Sequence, residues 1–215
     1  MIDLNIIRNH VPQLIGLKEA YKGAVCIPLI RSQADLEVLF EIRSEHISGQ
    51  PGDVCLPGGG IEEGESPQET AVRECCEELL IDPGRIEIIG RTDIFHSENA
   101  VIYSFAALLS DYSGTFSEQE VAKVFKVPVS FFLETEPLRY RVDSVVQPEE
   151  GFPYERIQGG RNYKWRSRSQ DQLFYEYDGI TIWGLTARIM YAFAAILKEE
   201  GSSLHQGVNI DVLQV

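Results

Sequence analysis

No run of about 18 uninterrupted apolar residues occurs, so nothing in the 215 residues reads as a membrane-spanning helix. Cysteine is scarce. Cys75 and Cys76 are adjacent, and Cys26 and Cys55 sit in apolar strand-like runs. Four thiols so placed do not make a disulfide framework, and they suit a reducing cytoplasm. The N-terminus, Met1-Ile2-Asp3-Leu4-Asn5, lacks a basic region ahead of an apolar run, and Asp211 to Val215 carry no sorting signal, so a cytoplasmic location is expected. Positive charge is also in short supply: 19 Lys+Arg stand against 33 Asp+Glu, a formal net charge of −14. Such a surface repels phosphate backbones and anionic lipids, so neither nucleic acid nor a membrane is expected as a partner. No internal repeat or low-complexity linker divides the chain, and residues 1–215 read as a single domain.

What remains is an ordinary globular composition, with 44% hydrophobic and 10% aromatic residues. The segment from Leu4 to Tyr21 has helical spacing at Leu14, Leu17 and Ala20. Gly23 to Ile30 and Leu36 to Ile42 read as paired strands around a turn at residues 32–35. Further strands are expected at 86–89, 101–109, 124–127, 172–177 and 180–182. A short helix is expected near Glu118, a helical turn over 129–133, and a final helix from about Leu185 to Glu199. That helix would bury Leu185, Ile189, Phe193, Ile196 and Leu197. Residues 149–171 show no clear period. Strands outnumbering helices in this order suggest an α/β sandwich of mixed sheets.

The best-specified element begins at Ser66. Ser66-Pro67-Gln68-Glu69 combines a side-chain acceptor at the N-cap, Pro at the first helical position and Glu at the third, a capping box; Pro83 requires that the helix has ended. At 3.6 residues per turn, Val72, Cys75, Cys76 and Leu79 form the expected buried stripe. Glu74, Glu77 and Glu78 then share the opposite side. Such a face is ordinarily solvated. However, Glu74 and Glu78 are like charges at i,i+4, a mutual repulsion that a hard divalent ion with oxygen ligands would relieve.

Read with the preceding Leu56-Pro57-Gly58-Gly59-Gly60-Ile61-Glu62-Glu63-Gly64-Glu65, this helix resembles the Nudix box, Gly-x5-Glu-x7-Arg-Glu-U-x-Glu-Glu-x-Gly-U, where U is a bulky apolar residue. Gly59, Glu65, Arg73, Glu74, Glu77, Glu78 and Ile81 match in register. Cys75 stands at the first U, and Leu80 replaces the last Gly, where the left-handed geometry open to Gly is not easily taken by Leu. The resemblance implies a Nudix α/β/α sandwich with mixed sheets and a C-terminal helix, acting as a diphosphatase on a nucleoside diphosphate derivative with Mg²⁺ or Mn²⁺. Carried over by position, Glu74, Glu77 and Glu78 with the Gly59 carbonyl would hold the metal, and Arg73 and Glu65 would orient the carboxylates. Glu74 or Glu77 would serve as base, or Glu120, which resembles the extra Glu that many Nudix proteins bring from outside the box.

Arg43-Ser44 and the run Gly52-Asp53-Val54-Cys55-Leu56-Pro57-Gly58-Gly59 further resemble the coenzyme A pyrophosphatase branch, as does Ile182-Trp183-Gly184-Leu185-Thr186-Ala187. Ser48, Asp53 and Phe40-Glu41-Ile42 depart from that branch's usual residues. The implied reaction yields 3′,5′-ADP and (acyl-)4′-phosphopantetheine. The alternatives are a Nudix hydrolase of ADP-ribose, NADH or a similar compound, and a non-catalytic ligand-binding regulator on the same scaffold. Arg43, Gly58 and Gly59 are candidate substrate contacts. Arg156, Arg161, Lys164, Arg166 and Arg168, interleaved with Tyr163 and Trp165, form a local charge of +5 without an acidic residue. Through Arg161 and Lys164, this segment either receives the 3′-phosphate and adenine of coenzyme A, or its charges pair with nearby carboxylates or a second subunit of a homodimer. Trp183 reads equally as a core aromatic or a substrate contact.

Overall fold

The computed structural model describes residues 15–16, 19–33 and 35–198. The helix expected from Leu4 therefore lies outside the described residues up to its last stretch, where β1 begins at Tyr21. Strands β1 (Tyr21–Arg31) and β2 (Leu36–Arg43) form the expected antiparallel pair. Their turn is closed by Ser32, whose Oγ donates to the Asp35 carbonyl (2.7 Å) and accepts from its amide (3.0 Å).

The main sheet is mixed. β3 (Val54–Cys55) and β8 (Val121–Pro128) flank β2, and β4 (Gly58–Gly60) pairs antiparallel with the start of β1. β7 (Ala100–Leu109) runs parallel to β1 and carries β5 (Ile86–Arg91) and β6 (Phe95–His96). A second, antiparallel sheet has the order β11 (Ile180–Trp183), β10 (Arg168–Tyr177), β9 (Leu138–Ser144).

Period-two alternation along β1 separates the layers. Ala24 and Cys26 face one helix, α1 (Pro67–Leu79), whereas Ile27 and Leu29 face the opposite core beside α2 (Val129–Glu134) and α3 (Gly184–Lys198). The same rule puts Leu39 on the α1 side and Val38 and Phe40 on the other. There Phe40, Phe132 and Tyr175 pack edge-on or tilted at 5.1–5.9 Å, joining β2, α2 and β10. The architecture is the expected α/β/α sandwich with a C-terminal helix.

Several local expectations are corrected. Residues 118–120 form a hydrogen-bonded turn leading into β8, not a short helix. β9 is an additional strand: Leu138, Tyr140 and Val142 alternate with Arg139, Arg141 and Asp143, the period of two that marks a strand, although neither face is buried. β10 starts at Arg168 because its polar first half pairs with β9. Within 149–171, single turns at Tyr154–Arg156 and Gly160–Asn162 are the ordered elements before β10. On α3 the buried stripe is Ala187, Ile189, Met190, Phe193 and Ala194; Leu185, Ile196 and Leu197 are exposed. Small Ala187 and Ala194 let the helix approach the sheet closely, which rotates the stripe away from the bulkier residues.

Candidate active site

Helix α1 starts as its sequence requires. Ser66 Oγ accepts from Glu69 N (3.3 Å) while the Glu69 carboxylate accepts from Ser66 N (2.8 Å), completing the capping box. At the other end Leu80 does take the left-handed conformation (φ 50°, ψ 45°), contrary to expectation, and its amide caps the Cys76 carbonyl. Its exposed side chain meets no obstacle there, so the backbone strain is all that Leu costs.

The helix buries Thr70, Ala71, Cys75, Glu78 and Leu79; Val72 and Cys76 are only half-buried. The rotation draws Glu78 under the protein. The three carboxylates are therefore graded: Glu77 exposed, Glu74 half-buried, Glu78 5% exposed. Glu78 Oε2 accepts from the Gly58 amide at 2.8 Å. Burial nevertheless pushes its pKa up to about 7, with Glu74 and Glu120 adding repulsion against the opposing Gly58 hydrogen bond and Arg43 charge. Burial likewise raises Glu74, against the pull of Arg73.

Arg73 spans the cluster. Its Nε donates to Glu65 Oε1 (2.8 Å), its Nη1 to Glu74 Oε1 (2.9 Å) and Glu77 Oε2 (3.0 Å), and its Nη2 to the Gly60 carbonyl (3.2 Å). Glu65, also bonded by Thr70 Oγ1 (2.8 Å), is held by Arg73 at a pKa of about 2. One planar guanidinium thus fixes three carboxylates, a task suited to the Arg fork.

The glycines are required by close approach. A Cβ at Gly58 would stand 2.5 Å from the Ala24 carbonyl, and one at Gly59 would stand 2.2 Å from Glu74 Oε1. β4 therefore lies directly on the carboxylates, and its other side floors a cavity of about 510 Å³. Arg43, with its Nε on the Gly49 carbonyl (2.9 Å), lines the same cavity, whose opposite wall comes from β10, β11 and α3. Glu120, in the turn before β8, accepts Ser44 N on its carbonyl (2.8 Å), and its charge reaches Glu74 and Glu78.

Gly58, Gly59, Arg43, Arg73, Glu74, Glu77, Glu78 and Glu120 are thus brought together. Arg161 and Lys164 are not. The Arg161 guanidinium lies 4.9 Å over the Tyr154 ring, and Lys164 borders a separate cavity with Tyr163, Trp165 and Arg166. Phe152, Tyr154, Tyr163 and Trp165 pack at 5.0–5.7 Å, holding this segment on itself.

Glu41 is the residue that sequence reasoning missed. It is 1% exposed, its Oε1 has no partner, and Cys55 Sγ donates weakly to Oε2 (3.8 Å). Burial first, and Glu78 second, raise its pKa well above the carboxylate range, which favours the protonated form. Alternation was the available signal, since Glu41 falls on the inward register of Leu39.

Among the described residues no three acidic, His or Cys side chains are gathered around one point. Arg73 instead bridges Glu74 and Glu77. The donor set still fits a hard divalent ion: oxygen ligands only, and carboxylates raised by burial that a cation would return to the charged form.

A family model of the NUDIX domain matches residues 20–142. The mouse protein named Peroxisomal coenzyme A diphosphatase NUDT7 is 26% identical over 187 residues, covering 83% of this chain and 71% of that protein. Nudix hydrolase 22, chloroplastic, of Arabidopsis thaliana is 28% identical over 188 residues, covering 83% of this chain and 56% of that protein. Peroxisomal coenzyme A diphosphatase ndx-8 of Caenorhabditis elegans is 34% identical over 104 residues, 46% of this chain and 44% of that one. The chain thus spans 71% of the mouse relative and about half of the other two. A MutT/nudix family protein from Enterococcus faecalis has a TM-score of 0.49 at 14% identity, over 89% of this chain and 66% of that one. Among the described residues no helix is long and apolar enough to cross a membrane.

Proposed function

The chain belongs to the Nudix family of hydrolases acting on acid-anhydride bonds, and from that premise we propose that it cleaves the diphosphate of coenzyme A or acyl-coenzyme A to 3′,5′-ADP and (acyl-)4′-phosphopantetheine. The observation that carries the proposal is the contact of Glu74 and Glu78 with Gly58 and Gly59 on the floor of a cavity that Arg43 also lines. A diphosphate laid on that floor has a cationic side chain beside it and bare backbone beneath it.

Nudix hydrolases use divalent metal ions, and here we assign Mg²⁺ or Mn²⁺ to Glu74, Glu77, Glu78 and the Gly59 carbonyl. When bound, the ion neutralises the diphosphate and makes water acidic enough to attack near neutral pH. Arg43 orients the phosphates. Arg73, itself held by Glu65, fixes the positions of the Glu74 and Glu77 carboxylates on α1. Glu74, Glu77 or Glu120 accepts the proton of the attacking water. Arg161 and Lys164 stay outside this assignment because the cavity ends before their segment.

ADP-ribose and NADH are the rival substrates, since relatives named only as Nudix hydrolases match as well. Against the non-catalytic reading, Leu80 adopts the cap conformation of the Gly it replaces, so the helix that carries the carboxylates ends as the motif requires. We further read residues 1–215 as one domain and place it in the cytoplasm on its free thiols, although the mouse relative is named peroxisomal. Incubation with coenzyme A, ADP-ribose and NADH in Mg²⁺ tests the proposal. Release of 3′,5′-ADP is expected; intact coenzyme A beside cleaved ADP-ribose would overturn the substrate.

A further inference from the structure

The cavity has two chemically unlike ends. Arg43, Gly58 and Gly59 suit a diphosphate, but the wall from the second sheet offers phosphate almost nothing. It presents two neutral amides, Gln170 and Gln172, and the indole of Trp183; the cation beside them, Arg188 of α3, is turned onto the Asp171 carbonyl.

These three side chains belong to one sheet face. Gln170, Gln172 and Phe174 alternate along β10, and Phe174 pairs in register with Trp183 on β11. The Trp183 ring is backed by Phe174 at 5.8 Å and 10°, tethered by Nε1 to Asp53 Oδ1, and still 39% exposed. A core aromatic would not be left so open. An indole held flat, with one face covered and the other edge on a cavity, is a stacking platform for a planar ligand.

The amides narrow the ligand. A Gln side chain offers a donor and an acceptor side by side, which is the complement of the adenine N6–N7 edge; guanine presents two acceptors there. A flexible apolar arm gains little from a fixed plane and nothing from the amides, and a phosphate wants cations.

We propose that Gln170, Gln172 and Trp183 form the subsite that receives the adenine base of the substrate. This rests on the reading of the substrate as an adenine-nucleotide diphosphate derivative, but not on coenzyme A in particular. It also moves the base from Tyr163 and Trp165 of the basic segment to the second sheet.

Calorimetric binding of AMP, GMP and inorganic phosphate to the full chain tests it without any bond being cleaved. Wild type is expected to prefer AMP to GMP. Gln172→Ala combined with Gln170→Ala is expected to weaken AMP about tenfold and bring the AMP:GMP ratio toward one, leaving phosphate affinity in place. Trp183→Leu should weaken both nucleotides to a similar degree; retained thermal unfolding and phosphate binding show that each variant is folded. Absence of a preference in wild type, or its survival in the double variant, overturns the subsite. Coenzyme A cleaved with the preference unchanged overturns the subsite alone. Coenzyme A left intact with the preference abolished in the double variant supports the subsite and overturns only the substrate assignment.

Discussion

The two sides of the cavity are built on different length scales. The carboxylate side is assembled from near neighbours in sequence: Arg73 reaches Glu65, Glu77 and Gly60, and Glu78 reaches Gly58 twenty residues away. The opposite side depends on β9 and β10 meeting across an irregular segment and on Trp183 meeting Asp53, 130 residues earlier. Local spacing can specify the first arrangement. Only tertiary pairing can specify the second.

If the chemistry lives on the local side, Glu77→Gln should lower turnover at least about a hundredfold, measured at saturating substrate and Mg²⁺. The paired change Arg161→Ala and Lys164→Ala should leave turnover nearly unchanged. Equal losses would break the contrast. Gly59→Ala comes next, at about tenfold to a hundredfold. Its methyl group must displace the Glu74 carboxylate, and the loss should appear in kcat more than in KM.

This contrast also explains what was legible in the sequence. The capping box, the glycine spacing and the Arg-Glu pattern all lie within residues 58–80, so the acidic cluster could be read from them, and the α/β/α architecture followed from the family resemblance they carry. The direction of the buried stripe could not, because Thr70, Ala71 and Glu78 face inward only once β4 and β1 pack against α1. β9 and Glu41 did carry a signal: Leu138, Tyr140 and Val142 alternate with charged residues, and Glu41 shares the inward register of Leu39, but a strand with no buried face and a single carboxylate in an apolar run each go against what burial ordinarily selects. For Arg161 and Lys164 local charge leaves open either substrate or pairing with carboxylates or a second subunit. Aromatic packing holds their segment on itself, and neither side chain lines the cavity beside Arg43.

Protonation sharpens the comparison further. Glu78 ionises near pH 4.5 when unfolded but at about 7 when folded, so between those values the native chain holds the extra proton. Stability without metal should therefore fall as pH rises from 4.5 to 7 and then level off. Glu74 and Glu41, both raised, add the same sign. Thermal unfolding in chelator should show a decline that Glu78→Gln makes shallower, and a rise over that interval would contradict the burial of Glu78. The smallest effect belongs to Leu80→Gly. Relief of the left-handed backbone should stabilise the chain by about 0.5–1 kcal/mol by denaturant titration, with turnover unchanged.

The most direct measurement is chromatography of coenzyme A incubated with the full chain in Mg²⁺, in Mn²⁺ and in chelator. Release of 3′,5′-ADP and 4′-phosphopantetheine with either metal, and none in chelator, is the expected result. Equal release in chelator, or intact coenzyme A with both metals, would contradict a metal-dependent coenzyme A diphosphatase.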